Sequence, residues 1–446
     1  SDDLFSPFPL TAKQQPLNGR MSTELEHFAA PGDHLQFHHV QMYVNSLRPI
    51  AEYKEMEVAS NQITQLQGSD IFRVAEETKV ALTAKWKKLV PFLPDPRETK
   101  ATYDSSQQDI VEQLIIGAGW RILGYAETED TRAVVIASNS PNSAKVVVAA
   151  PRQERRDSVS AADKAKDEAE VESPRTTKNA VCESWNLSSA AMEQFFQSHY
   201  DRQGIGILAF EITEGGSLSR VYENYQRLHP HLLANGGPTS LVNDGDEQFQ
   251  TLEVFAFYKP GSTTEPDRGT VIQFVQKQGP KCENEVLPVF TACKATFDGI
   301  SLPMFPDHWV SNVTNREQYL DTLRDVLGFE PKVNFNAGVV AAGEAIIEST
   351  VTGNKPNAEL VDAEDQLENQ QQIYLPINNS LSEFGHVHFF IEELGQGVQH
   401  IANRCSNLVH FIQRVNDIRH ITGRGFKFSN IPRSYCGYLK VSAFQT

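Results

Sequence analysis

The chain has 446 residues, 40% apolar and 22% charged, the composition of a soluble globular protein too long for one ordinary core. A formal charge of −17 leaves no basic stripe to track a phosphate backbone, which argues against non-specific nucleic-acid binding, and no apolar run is long enough to span a membrane. The five cysteines are scattered and form no C-x-x-C pair, which excludes a zinc ribbon or disulfide scaffold and fits a reducing compartment.

Residues 1–34 start at Ser1, lack an apolar signal core and read as an N-terminal extension, so secretion is not expected. "LQFHHVQMYV" (35–44) alternates like a strand. Residues 46–108 read as mostly helical and polar, an insertion. "SSQQDIVEQLIIGAGWRILGY" (105–125) predicts a helix ending at Gly117-Ala-Gly119 and then a strand. "TRAVVIASNS" and "AKVVVAAP" predict a hairpin around Pro141-Asn142. Residues 152–180 are charged, lack aromatics and read as a disordered loop.

The pattern then recurs. "GIGILAFEIT" predicts a strand, "SLSRVYENYQRL" a helix, and "TLEVFAFYK" and "TVIQFVQK" strands. A third cycle opens at "PDHWVSNV", continues through helix "NREQYLDTLRDVLGF" and strands "PKVNFNAG", "EAIIESTVTG" and "QQIYLPINN", and is interrupted by an acidic loop at 357–372. A fourth opens at "GVQHIANRC" with helix "NLVHFIQRVNDIRHI" and then "GFKFSNIP". The expected fold is α+β: four βαβββ modules paired into two half-open β-barrels, the last module incomplete. The expected division is a first domain at 35–290, with insertions at 46–108 and 152–180, and a second at 300–446.

His308 and His400 hold equivalent places in the opening strands of cycles three and four. Alternation puts His308, Val310 and Asn312 on one face of their strand, and Val398, His400 and Ala402 on one face of theirs. If the two cycles pair, both imidazoles can enter one cavity. Imidazoles suit iron, zinc, copper or nickel, and two with a carboxylate form a non-heme Fe(II) site. A strand histidine is also commonly a hydrogen-bonded neutral side chain, and spacing alone leaves both readings open. His38 and His39 occupy the matching strand of the first barrel. The second cycle opens with "GILAFEI" and offers no partner, so they read as structural.

The chain resembles the 4-hydroxyphenylpyruvate dioxygenase family, of the vicinal-oxygen-chelate fold. The matching pieces are "FHHVQMYV", "GAGWRILGY", "FFQSHYDRQGIGILAFEI", "DHWVSNV", "ESTVTGN", "LPINN", "GQGVQHIA" and "GFKFSNIP", in family order from about residue 35 to 435. The resemblance implies a structural first barrel and an iron-binding second barrel. His308 and His400 then correspond to the two Fe(II) histidines, and Ser349, Asn378 and Gln399 to residues lining the substrate pocket. It implies conversion of 4-hydroxyphenylpyruvate and O2 to homogentisate and CO2, in tyrosine catabolism or quinone precursor synthesis. The implied partners are an α-keto acid and O2, with no nucleic acid and no membrane span. A cytoplasmic or plastid home follows by analogy, and a homodimer is compatible with it.

Three features depart from the family. Its iron carboxylate is a Glu in the last strand of the fourth cycle, and the 46 residues after His400, which end in "SYCGYLKVSAFQT", contain no Glu. The family tends to carry glutamine where His386 stands. Gln399 neighbours His400, so an ideal strand would send it to the opposite face. A chain cut short is the expectation, because the histidines and pocket residues persist together. The alternatives are a degenerate non-catalytic homologue that binds or scaffolds, and another two-His-one-Glu dioxygenase of this fold acting on a catechol.

Overall fold

The computed structural model describes residues 30–67, 76–93, 109–138, 143, 145–152, 187–242, 248–278, 290–293, 304–339, 346–354, 372–405, 407–426 and 428. The Pro141-Asn142 turn, most of the 152–180 and 357–372 stretches and all residues after 428 lie outside them.

The first module runs β1 (Leu35–Tyr43), α1 (Ile50–Gln67), α2 (Glu76–Leu89), α3 (Ile110–Ala118), β2 (Arg121–Glu127), β3 (Thr131–Ala137) and β4 (Lys145–Pro151). Helix α4 (Ser189–Ser198) leads into the second: β5 (Gly204–Ile212), α5 (Leu218–Leu228), β6 (Thr239–Val242), β7 (Gln248–Tyr258) and β8 (Pro266–Gln278). A short strand, β9 (Thr291–Ala292), precedes the third: β10 (Met304–Asn312), α6 (Arg316–Leu327), β11 (Glu330–Val339), β12 (Ile346–Gly353) and β13 (Leu375–Ser380). Helix α7 (His386–Leu394) leads to β14 (Gly397–Cys405) and α8 (Leu408–Thr422) of the fourth. The sequence reading missed α4, β6 and β9, which are short or lack a clear apolar period.

In the second, third and fourth modules the helix after the opening strand starts on a short polar side chain, as does α3 in the first. Asp109, Ser217, Asn315 and Asn407 accept a backbone N–H from the first turn of α3, α5, α6 and α8. The same start signal directly after the opening strand of modules two to four is the local mark of the repeat; in the first module α1 and α2 stand between β1 and α3.

In three modules the opening strand lies parallel to the last one: β1 to β4, β5 to β8 and β10 to β13. Opening strands then pair antiparallel between modules, β1 with β5 and β10 with β14. This is the α+β architecture of paired βαβββ modules expected from the pattern. The two halves join where Val398 of β14 meets Ile205 of β5, so the fourteen strands of the described residues form one continuous sheet.

The halves also share a core. Trp309 of β10 is 1% exposed, and its ring lies 4.4 Å from that of Phe37 and 5.3 Å from that of Phe210. Helices α1 and α2 contribute Tyr53, Met56, Ile63 and Trp86 to the same core, which is why this polar-looking stretch stays ordered. No helix among the described residues is long and apolar enough to cross a membrane.

A candidate histidine metal centre

The pairings β1–β5 and β10–β14 share one irregular register. Phe37 faces Phe210 and His39 faces Ala209, leaving His38 as an extra residue; Gln41 faces Ile207 and Met42 faces Ile205, leaving Gly206 extra. In the other half Pro306 faces Asn403 and His308 faces Ala402, leaving Asp307 extra; Val310 faces His400 and Ser311 faces Val398, leaving Gln399 extra. Each pair therefore has two β-bulges, one per strand, at matching places. His39 is the counterpart of His308, and Ile207 that of His400. The first half has one histidine and an isoleucine where the second half has two histidines, which agrees with the structural reading of His38 and His39.

Residues directly opposed across an antiparallel pair share a face. His308, Val310, His400 and Ala402 accordingly lie on one side of β10–β14. The rings of His308 and His400 are 5.8 Å apart between centres and 77° apart in plane. An imidazole bound through Nε2 at about 2.1 Å holds its ring centre about 3.3 Å from the ion, so two on one ion lie about 4.6 to 5.3 Å apart at angles of about 90° to 110°. The observed spacing is close to that of a shared ion.

The bulges also settle where the neighbouring side chains go. An extra residue breaks the strict alternation, so Asp307 and Gln399 turn toward the histidines that follow them. Asp307 Oδ2 is 2.5 Å from His308 Nδ1, and Gln399 Oε1 is 2.5 Å from His400 Nδ1. A carboxylate oxygen and an amide oxygen only accept, so each Nδ1 donates. In a neutral ring this tautomer leaves the lone pair on Nε2, the form that binds a metal. The hydrogen bond from His308 holds the Asp307 carboxyl below its ordinary range, and Arg404, 3.3 Å from Asp307 Oδ1, acts in the same direction. Desolvation, then His308 and His386, push the His400 pKa down, which also favours the neutral ring.

The other expected pocket residues join the same face. Ser349 of β12 pairs with Asn378 of β13, and Asn378 pairs with Asn312 of β10, two places beyond Val310. The Asn378 amide donates to Asn312 Oδ1 at 3.2 Å, with both side chains buried. Sequence reasoning placed Asn312 on the correct face without assigning it a role. It missed Asp307, although a polar residue directly before each histidine was visible as "DH" and "QH". Among the described residues no group of three His, Cys, Asp or Glu side chains is placed to hold a metal. Glu392 and Glu393 are exposed on α7, and Glu392 pairs with His388 at 3.3 Å, so neither substitutes for a missing ligand.

The start of β14 is fixed by the turn before it. Gln396 accepts from the Thr314 amide and hydroxyl, and donates to Tyr258 O and to Asp267 Oδ2. Gly395 has φ +77 and packs against the Ser198 carbonyl; a Cβ on Gly397 would lie 2.9 Å from His199 Nε2. The Gly-x-Gly turn before His400 is thus a close joint between β14 and the first half, with its polar middle residue as the clamp.

No family model and no curated protein matches the chain. Solved structures give weak likenesses. A mutant of 4-hydroxymandelate synthase from Streptomyces coelicolor aligns at 15% identity over 74% of this chain and 75% of its own, with TM-score 0.46. A xylose isomerase-like TIM barrel/4-hydroxyphenylpyruvate dioxygenase fusion protein aligns at 12% identity over 70% of this chain and 36% of its own, with TM-score 0.35. A hypothetical protein from Staphylococcus aureus aligns at 11% over 77% of this chain and 86% of its own, with TM-score 0.34. The fold is established by the chain's own strand pairing.

Proposed function

We propose that the protein is an Fe(II)-dependent dioxygenase that acts on an α-keto acid, with 4-hydroxyphenylpyruvate as substrate and homogentisate and CO2 as products. One observation carries this reading: two imidazoles from separate modules lie side by side, 5.8 Å apart between ring centres, each with its Nδ1 engaged. His308 and His400 would hold the ion, and no third side chain is placed to join them among the described residues. When bound, ferrous iron supplies the redox chemistry with O2 that side chains lack.

The chain's own residues bind and orient. Ser349, Asn378 and Gln399 offer hydroxyl and amide groups on the face that carries the histidines, suited to the oxygen atoms of a small keto acid. Behind the histidines, on the opposite face of β10, Trp309 is buried, and it keeps water from that side. His308 and His400 would act as ligands and move no proton.

The test is anaerobic Fe(II) titration of the full-length protein, followed by O2 uptake with 4-hydroxyphenylpyruvate. His308→Ala and His400→Ala are each expected to weaken Fe(II) binding by more than about 100-fold, beyond the loss typical of an outer-shell partner. Undiminished iron in either variant refutes the ligand assignment. A second reading, a non-catalytic binding protein on this scaffold, is favoured by the lack of a third ligand among the described residues. It predicts no Fe(II) binding and no O2 uptake by the wild-type protein.

A further inference from the structure

We propose that Asp307 and Gln399 are positioning residues that fix the tautomer of both site histidines, each acting from a β-bulge. The inference rests on the reading of His308 and His400 as a pair of ligands and adds how the chain keeps them in the binding form.

Three observations carry it. The two bulge residues of β10–β14 both carry a side-chain oxygen, and each oxygen sits on Nδ1 of the next imidazole. An unbulged strand would send residues 307 and 399 to the opposite face, so the irregular register is what makes these contacts available. The first half contains the same first bulge, and there His38 Nδ1 lies 2.8 Å from His39 Nδ1. A pair of imidazoles leaves the donor unspecified between them, whereas a carboxylate or amide oxygen specifies it. Only the half that has two histidines has oxygen at both bulges.

The acceptors are themselves held. Arg404 of β14 pairs with the far oxygen of Asp307 and donates to the Pro306 carbonyl, so the carboxylate is pinned from the opposite strand. Gln399 follows the Gln396 clamp, which sets where β14 begins. Neutral imidazole free in water favours the Nε2–H form, in which the lone pair needed by a metal sits on Nδ1, the wrong side here. The bulge oxygens reverse that preference before any ion arrives.

The experiment is long-range 15N–1H NMR of the metal-free full chain with 15N-labelled histidine, the two signals assigned with His308→Ala and His400→Ala. Wild type is expected to show protonated Nδ1 and bare Nε2 at both positions. Asp307→Ala and Gln399→Ala are each expected to move the following histidine to the Nε2–H form and to weaken Co(II) binding by about 10- to 100-fold. Asp307→Asn and Gln399→Glu keep an acceptor oxygen and are expected to keep the wild-type tautomer, which separates positioning from general loss of structure. Unchanged tautomers in both alanine variants, or Nε2–H histidines in the wild type, overturn the proposal. Tautomers that shift as expected in a protein that binds no Co(II) support the positioning role and sink the metal reading instead.

Discussion

His199 is 2% exposed at the end of α4, stacked on Phe195 at 4.1 Å and packed against Gly397. Burial lowers its pKa to about 4. The folded protein therefore holds this ring neutral where the unfolded chain protonates it. Its stabilisation is complete above the unfolded value of about 6.5 and is lost as pH falls from there toward about 4, by about 3 kcal/mol in all. Urea unfolding at pH 7 and pH 4.5 measures the loss, and His199→Gln, which has no group titrating there, is expected to flatten it. An equally steep loss in that variant would assign the acid sensitivity to other groups. The residue matters to the site because it touches the glycine from which β14 departs. Sequence could name every such histidine, but not which one is buried: His199 sits in "QSHYD", amid polar neighbours, and only the fold brings Gly204, Gly269 and Gly397 against it.

At the scale of the element, β14 is a strand whose place is set at its first residues. Gln396 makes hydrogen bonds to Thr314, Tyr258 and Asp267, so its side chain ties the third module and the β7–β8 hairpin to the start of β14. Gln396→Ala leaves the half-buried Asp267 carboxylate and the Thr314 amide without this partner. A cost of about 3 kcal/mol is expected in denaturant unfolding, since each buried group left unsatisfied costs about 1–3 kcal/mol. Faster hydrogen exchange is expected along β14 than along β1. The Asp267 pKa, already raised by burial and held down in part by Gln396, is expected to rise further. A variant as stable as wild type would show that the joint is held by packing of the glycines alone. The element itself was legible: alternation in "GVQHIANRC" identifies a strand. Its one-residue bulge at Gln399 was not, because a bulge is a property of two strands and no period in either one encodes it.

For the whole molecule, continuity of the sheet and core governs stability. Trp309 packs on Phe37 and Phe210, and β14 meets β5, so the two halves share the main core, beside smaller clusters within each half. Helices α1 and α2 add a second tie: Arg414 of α8 donates to Thr64 at 2.8 Å, Thr83 donates to Ile421 O at 3.0 Å, and Lys79 lies 3.8 Å from Asp417. The stretch read as an insertion therefore braces the last helix against the first module. Unfolding is expected as one transition, coincident by near- and far-ultraviolet circular dichroism. Trp309→Ala is expected to cost about 3–5 kcal/mol and to lower that single transition. Two resolved transitions, with one unmoved by the substitution, would show the halves to be independent.

By itself the sequence determined the elements and their repetition. Alternating apolar positions identify strands, short polar caps mark the helix starts, and His308 and His400 stand at equivalent places in two opening strands. These are local properties, carried by residues a few positions apart. The tertiary structure alone decided the register that sets Asp307 and Gln399 on the imidazoles, the place of Ile207 opposite Gln41 where the second half has His400 opposite Val310, and the closure of both halves on Trp309. Those depend on which distant strand lies alongside, and a pairing between segments far apart in the chain is chosen by the packing of the complete core.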